Sequence, residues 1–236
     1  MGELMSNASE TDAMGIESEV SPWLTPLAYW LFYYLVLPLF FGRIEINGQE
    51  HLPRVGAVIL APTHRSRWDP ILLGYAAGRR ATGRDLRYMV LLSQTQGIQG
   101  WFVRRLGGFP IDRTRPTTSS IRYSVELLQR ENVLVLFPEG HIISHKEMGE
   151  IQPGVARIAL QAVSHQSNLT VNIVPVSIYY QHSAPPPMGC KVWVNIGSPL
   201  NAREYQEDSI KKATRHLTTD LKEALQALHQ PPSELL

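Results

Sequence analysis

The run VNIVPVSIYY, Val171 to Tyr180, is apolar at nearly every position, and so is the shorter VLVLF, Val133 to Phe137. A strand with one wet face alternates polar and apolar residues, whereas a strand without alternation is covered on both faces. Strands of this kind need helices above and below them, and the chain supplies helical stretches between its apolar runs. Strands are predicted near residues 43–47, 55–61, 86–92, 109–112, 132–137, 171–179 and 191–197, and helices near 70–79, 95–105, 117–130, 153–166 and 207–229. The alternation predicts an α/β fold, a mixed and partly parallel sheet of about seven strands flanked by helices. The last helix is amphipathic. Its apolar residues Ile210, Ala213, Leu217, Leu221, Ala224 and Leu228 recur at three- or four-residue steps, and Pro231-Pro232 stops it.

Ahead of this pattern stands a different one. Trp23 to Phe41 runs nineteen positions without a charge and holds eight of the chain's twenty aromatic residues. Length alone would suit a transmembrane helix. Trp and Tyr favour the headgroup level, however, and here they fill the middle of the run as well as its ends. Pro26 and Pro38 are expected to break a continuous helix. The reading is an N-terminal hydrophobic, membrane-associated helical segment that dips into one leaflet. A core helix packed on the domain is the alternative that the sequence leaves open. The expected organisation is a polar tail over residues 1–21, a hydrophobic anchor over 22–42 and an α/β domain over 43–236. The first twenty residues are polar and acidic, not basic and then apolar, so they do not read as a secretory signal.

Composition narrows the function classes. A net charge of +1, with no basic repeat and no zinc-finger spacing, gives no reason to expect a nucleic-acid partner. Cys190 is the only cysteine, so no intramolecular disulfide framework can form, and its setting PPPMGCK offers no catalytic frame. No HExxH, Walker loop or Gly-x-Ser-x-Gly elbow is present. His141 and His145 are four apart, a metal-binding spacing on a helix, but they fall in a predicted loop without a third ligand, and no metal is expected.

In open sheets of this class chemistry gathers at the carboxyl ends of strands. Three polar clusters fall there. THRSRWDP, Thr63 to Pro70, follows the apolar run VGAVILAP. Asp69 ahead of Pro70 suits a helix start as a cap. Across a turn, its carboxylate could also accept from one nitrogen of His64, fix the tautomer and leave the other nitrogen as a base. No serine accompanies the pair, so the nucleophile would be a substrate hydroxyl. A structural histidine is the competing reading. GGFPIDR, Gly107 to Arg113, ends in a guanidinium whose planar fork suits phosphate. LFPEGH, Leu136 to His141, puts Glu139 where it could orient Arg113 or accept from a hydroxyl, with Gly140 allowing close backbone approach.

Taken in order, HRSRWD, GGFPIDR, FPEG and VPVS resemble the four motifs of the 1-acyl-sn-glycerol-3-phosphate acyltransferase family, from about Arg43 to the final helix. The resemblance implies transfer of a fatty acyl chain from an acyl-carrier-protein or coenzyme A thioester to the free hydroxyl of 1-acyl-sn-glycerol 3-phosphate, giving phosphatidic acid in phospholipid biosynthesis. It implies His64 as base and Asp69 as its orienting partner. Arg113 becomes a phosphate contact, Glu139 and Gly140 part of the acceptor site, and Pro175 a residue of the fourth motif near the acyl donor. No cofactor is implied. The partners are the lysophospholipid, the thioester carrier and a membrane surface, with the catalytic domain on the cytoplasmic side.

Two departures stand out. The family usually continues FPEG with Thr-Arg-Ser, where this chain has His141-Ile142-Ile143, and Tyr88 to Trp101 lacks the lysine that many members carry between the first two motifs. Arg65, Arg67, Arg104, Arg105, Lys146 and Arg157 are candidate substitutes. The departures leave glycerol 3-phosphate or another lysophospholipid open as acceptor. They also leave room for a lipid hydrolase or a silent lipid-binding protein.

Overall fold

A computed structural model describes residues 18–111, 118–144, 147–166, 168–205 and 207–230. Eight strands form one sheet: β1 Arg43–Asn47, β2 Ala57–Pro62, β3 Leu86–Leu91, β4 Gly108–Ile111, β5 Val133–Val135, β6 Val171–Tyr180, β7 Lys191–Ile196 and the two-residue β8 Leu200–Asn201. The order is β1-β7-β6-β2-β5-β3-β4, with β8 beside β6. From β6 to β4 every neighbour is parallel, while β7 and β8 run antiparallel to β6 and β1 is parallel to β7. The expected mixed α/β sheet is present, and it is mostly parallel.

Beside the one-turn helix Arg79–Thr82, five longer helices among the described residues join the strands or close the chain: α2 Asp69–Ala77, α3 Gly97–Arg105, α4 Thr118–Gln129, α5 Gly154–His165 and α6 Ile210–Leu228, numbered after an N-terminal α1. Parallel crossovers are right-handed, so the sense of each step along the sheet fixes the face its helix covers. Steps β2 to β3 and β3 to β4 put α2 and α3 on one face. The return steps through β5 to β6 put α4 and α5 on the other. β2 shows the result, with Ala57, Ile59 and Ala61 in the core under α4, α5 and α6, and Val58 and Leu60 in the core under α1 and α2. Along α6 the buried apolar stripe is Ala213, Leu217, Leu221 and Leu225; of the other expected members, Ala224 and Leu228 are half-buried and Ile210 is exposed.

The N-terminal run differs from its expectation. Leu24–Leu31, a π-helical Phe32–Val36 and Leu37–Phe40 follow one another with helical backbone and make one helix, α1. Pro26 does not break it because the first turn needs no N–H partner there. Pro38 lacks the N–H that would bond back to Tyr34, and the π segment ahead of it absorbs the mismatch. One face docks on α2. The Tyr33 hydroxyl donates to the carbonyls of Gly74 and Tyr75 at 3.0 and 2.7 Å, and Phe40 and Phe41 pack on Trp68. Glycine is needed under this contact, since a Cβ on Gly78 would lie 2.6 Å from the Tyr29 hydroxyl. The segment just before α1 is also held to the domain, with Val20 bridging Leu106 and Ser18 bonded to Tyr123. No helix among the described residues is long and apolar enough to cross a membrane.

Candidate active site

β2 is buried along its whole length and stops at Pro62, which delivers Thr63 and His64 to the carboxyl edge of the parallel strands. Thr63 fixes the exit: its N–H donates to Val176 O at 2.9 Å, and its hydroxyl accepts the Ile178 N–H at 2.9 Å. The chain then loops through Arg65 to Trp68 and enters α2 at Asp69, which is fully buried.

Asp69 does not cap α2. It occupies the first turn, where the helix dipole favours a carboxylate, and turns its oxygens back onto the loop it has just left. Oδ2 accepts from His64 Nδ1 at 2.9 Å, from the Arg65 N–H at 2.6 Å and from the Ser66 N–H at 2.8 Å. Oδ1 accepts from the Tyr180 hydroxyl at 2.6 Å. A buried carboxylate with this many donors is held in one orientation. The His64 ring stacks on Phe137 at 3.9 Å and keeps 17% side-chain exposure. Among the described residues nothing bonds its Nε2. With Nδ1 turned to a carboxylate, the neutral ring has its proton on Nδ1 and its lone pair on Nε2.

Glu139 braces the same loop from β5. Its Oε2 accepts the backbone N–H of His64 at 2.6 Å, and Oε1 accepts from Arg65 Nη2 and from the Gly149 N–H, both at 2.8 Å. Ile143 N–H returns to His64 O at 2.8 Å, so the two loops are stitched together at both backbone groups of His64. Glu139 is 1% exposed and both oxygens are filled by the protein. It therefore supports His64 from inside and does not face an acceptor. Gly140 has φ +73° and its N–H closes a turn onto Phe137 O, a left-handed position that suits glycine and aims Glu139 inward.

The other expected residues fall elsewhere. Pro175 is buried within β6 opposite Ala61, three residues and about 10 Å short of the level of His64. Its missing N–H falls where the neighbour of β6 changes from β8 to β7, and its carbonyl accepts from Gly197. Arg113 and Asp112 lie outside the described residues, as do His145 and Lys146. Arg65 is consumed by Glu139, whereas Arg67, on the same loop, is exposed. Among the described residues no group of three His, Cys, Asp or Glu side chains could hold a metal ion.

Tyr180 is the residue that sequence reasoning missed. Burial, with the neighbouring Asp69 carboxylate adding to it, pushes its hydroxyl well above the ordinary phenol range, so it remains a donor. Tyr180→Phe leaves Oδ1 of Asp69 without that donor. The expected result is a fall in kcat of about tenfold with KM unchanged, and a stability loss of about 1–3 kcal/mol. Unchanged kcat in steady-state assays would remove Tyr180 from the positioning of His64.

The solved structure of the 1-acyl-sn-glycerophosphate acyltransferase of Thermotoga maritima has a similar fold, with a TM-score of 0.58 over 87% of this chain and 78% of that one, at 19% identity. Fold and site thus describe an α/β protein with a His–Asp pair at the carboxyl edge of its parallel strands. The chain belongs to the Acyltransferase family, whose pattern matches residues 43–179. Among its relatives, the 1-acyl-sn-glycerol-3-phosphate acyltransferase of Streptococcus pneumoniae is 25% identical over 197 residues, 75% of this chain and 66% of that protein. The enzyme of the same name from Bacillus subtilis is 31% identical over 101 residues, 42% of this chain and 48% of that protein. A glycerol-3-phosphate acyltransferase of Haemophilus ducreyi is 31% identical over 152 residues, 59% of this chain but 17% of that much longer protein. The chain thus spans between about half and just under two thirds of the length of the two 1-acyl-sn-glycerol-3-phosphate relatives.

Proposed function

We propose that the protein transfers a fatty acyl chain from an acyl-carrier-protein or coenzyme A thioester to the free hydroxyl of 1-acyl-sn-glycerol 3-phosphate, yielding phosphatidic acid and the free thiol. The observation that carries this reading is the His64–Asp69 contact, with no protein nucleophile among the described residues bonded to Nε2. Nε2 takes the proton of the acceptor hydroxyl as its oxygen bonds to the thioester carbonyl carbon. The tetrahedral adduct then re-forms its carbonyl and breaks the C–S bond, and the imidazolium returns the proton to the departing sulfur. General-base assistance of this kind contributes about 10²–10⁴ in rate. Asp69 balances the transient positive charge. Arg113, from the second motif, and the exposed Arg67 are assigned to the acceptor phosphate, which an arginine fork fits well.

The outward face of α1 is assigned to one leaflet of a membrane, with the catalytic domain on the cytoplasmic side. Trp23, Leu27, Trp30, Tyr34 and Leu39 are all more than half exposed, an apolar and aromatic surface that suits the lipid interface.

Glycerol 3-phosphate is the second acceptor to consider, because His141-Ile142 replaces the expected third-motif arginine and a relative carries that activity in its name. Purified protein given each acceptor with each thioester decides the matter by mass spectrometry of the product. Phosphatidic acid formed in step with free thiol is expected. Free fatty acid without diacyl lipid would assign the site to hydrolysis, and product from glycerol 3-phosphate alone would reassign the acceptor.

A further inference from the structure

We propose that the uncharged crossover from the end of β3 into α3 is a second lipid-inserting surface, which together with α1 seats the protein on an anionic phospholipid bilayer at two places. This rests on the lipid-facing role proposed for α1.

α3 is barely part of the core. Of its nine residues only Gly100 is buried, while Ile98 is 81% exposed, Trp101 41% and Phe102 46%. Leu91 and Leu92, where β3 ends, are 40% and 44% exposed. Ile98, Trp101, Phe102 and Arg105 follow helical spacing, so they form one stripe. An ordinary solvent-facing crossover would place charges on such a stripe, but Leu91 to Phe102 contains none.

Among the described residues arginines outnumber carboxylates around the patch, where Glu19 Oε2 lies 3.9 Å from Arg105. No Asp or Glu occurs between Asp85 and Asp112, nor between Glu19 and Glu45. Arg105 lies over the Trp101 ring at 4.2 Å, and Arg80 sits 5.7 and 5.9 Å from the rings of Tyr33 and Tyr34 on α1. Aromatic rings backed by arginines match a headgroup layer of anionic lipid, where rings settle and cations meet phosphate.

The fold makes the two patches one surface. α3 shares its sheet face with α2 and α1, by the sense of its crossover. The end of α3 is tied to the start of α1 by Ser21 N–H to Arg105 O at 2.9 Å and Thr25 Oγ1 to Arg105 O at 3.0 Å. Each helix also reaches the carboxyl edge that carries His64, α3 at its start and α1 at its end, where Gly42 N–H bonds Cys190 O beside the end of β6. A bilayer touching both would bring that edge to the interface, where a lysophospholipid resides.

The test uses the full chain carrying Ile98→Ser, Trp101→Ser and Phe102→Ser, with vesicles of phosphatidylcholine containing about one third phosphatidylglycerol. Vesicle binding by flotation should fall about tenfold or more. Transfer to vesicle-borne lysophosphatidate should fall with it, while transfer to a short-chain, monomeric acceptor should stay within about twofold of wild type. Ile98→Ser alone, at a side chain too exposed to matter for folding, should weaken binding about threefold. Undiminished vesicle binding in the triple variant overturns the inference. If Trp30→Ser with Tyr34→Ser in α1 loses binding while the α3 variant keeps it, α3 is excluded and the reading of α1 stands. If neither loses it, both fall, whereas the acyl-transfer reading depends on the product assay. A changed oligomeric state, or a raised KM for the carrier-bound donor, at unchanged vesicle binding would assign the face to another copy or to the carrier and would also overturn it.

Discussion

Replacing His64 with alanine should lower acyl transfer by about 10²- to 10⁴-fold while the fold persists. The ring is partly exposed and its removal takes one donor of several from Asp69, so its loss costs little in packing. The lost interaction belongs to the transition state, so the decrease should appear in kcat more than in KM. Asp69→Asn should lower activity as well, for a different reason. An amide can offer an N–H where the carboxylate accepted, which turns the proton arrangement of the ring around. Thiol release at saturating substrates measures both variants. Wild-type turnover in the His64→Ala protein would refute the base assignment.

The largest effect on stability is expected at Glu139. Among the described residues its carboxylate is the acidic partner of Arg65, whose side chain is 4% exposed and whose Nε has no hydrogen-bond partner there. Glu139→Ala strands that guanidinium in the interior and frees the N–H groups of His64 and Gly149. Breaking a buried pair from one side costs about 3–5 kcal/mol, to be read from urea unfolding. A paired replacement, Arg65→Met with Glu139→Leu, should recover much of that stability, because two apolar groups leave no buried charge. Activity should not recover with it, since the His64 backbone would still lack its acceptor. A loss below about 1 kcal/mol for Glu139→Ala would show that the pair does not hold the two loops together.

Period and composition made the sheet legible, because the central strands Ala57–Pro62, Val133–Val135 and Val171–Tyr180 are largely apolar runs and Arg43–Asn47 alternates. β8 escaped because two residues carry no period. The continuity of α1 escaped because a proline signals a break, whereas here a π-helical turn accommodates Pro38. At the site, His64 and Asp69 were readable as a local pair, close in sequence. Glu139 was readable as a residue but not in its direction. Its partners Arg65 and Gly149 come from two separate loops, and spacing cannot say which way a carboxylate turns. Tyr180 was hidden differently. At the end of VNIVPVSIYY it reads as one more core aromatic, and only the parallel register of β6 with β2 carries its hydroxyl to Asp69. The one local hint is that a buried tyrosine hydroxyl requires a partner.

The proton arrangement of the His64 ring tests the base assignment most directly. With the protein labelled at histidine nitrogens and the His64 signal assigned by comparison with His64→Gln, nitrogen chemical shifts of the neutral ring distinguish the two tautomers. Asp69 should hold the proton on Nδ1, leaving Nε2 with the lone pair that receives the acceptor's proton. A neutral ring protonated on Nε2 would contradict this, because the nitrogen facing the open side would have nothing with which to accept.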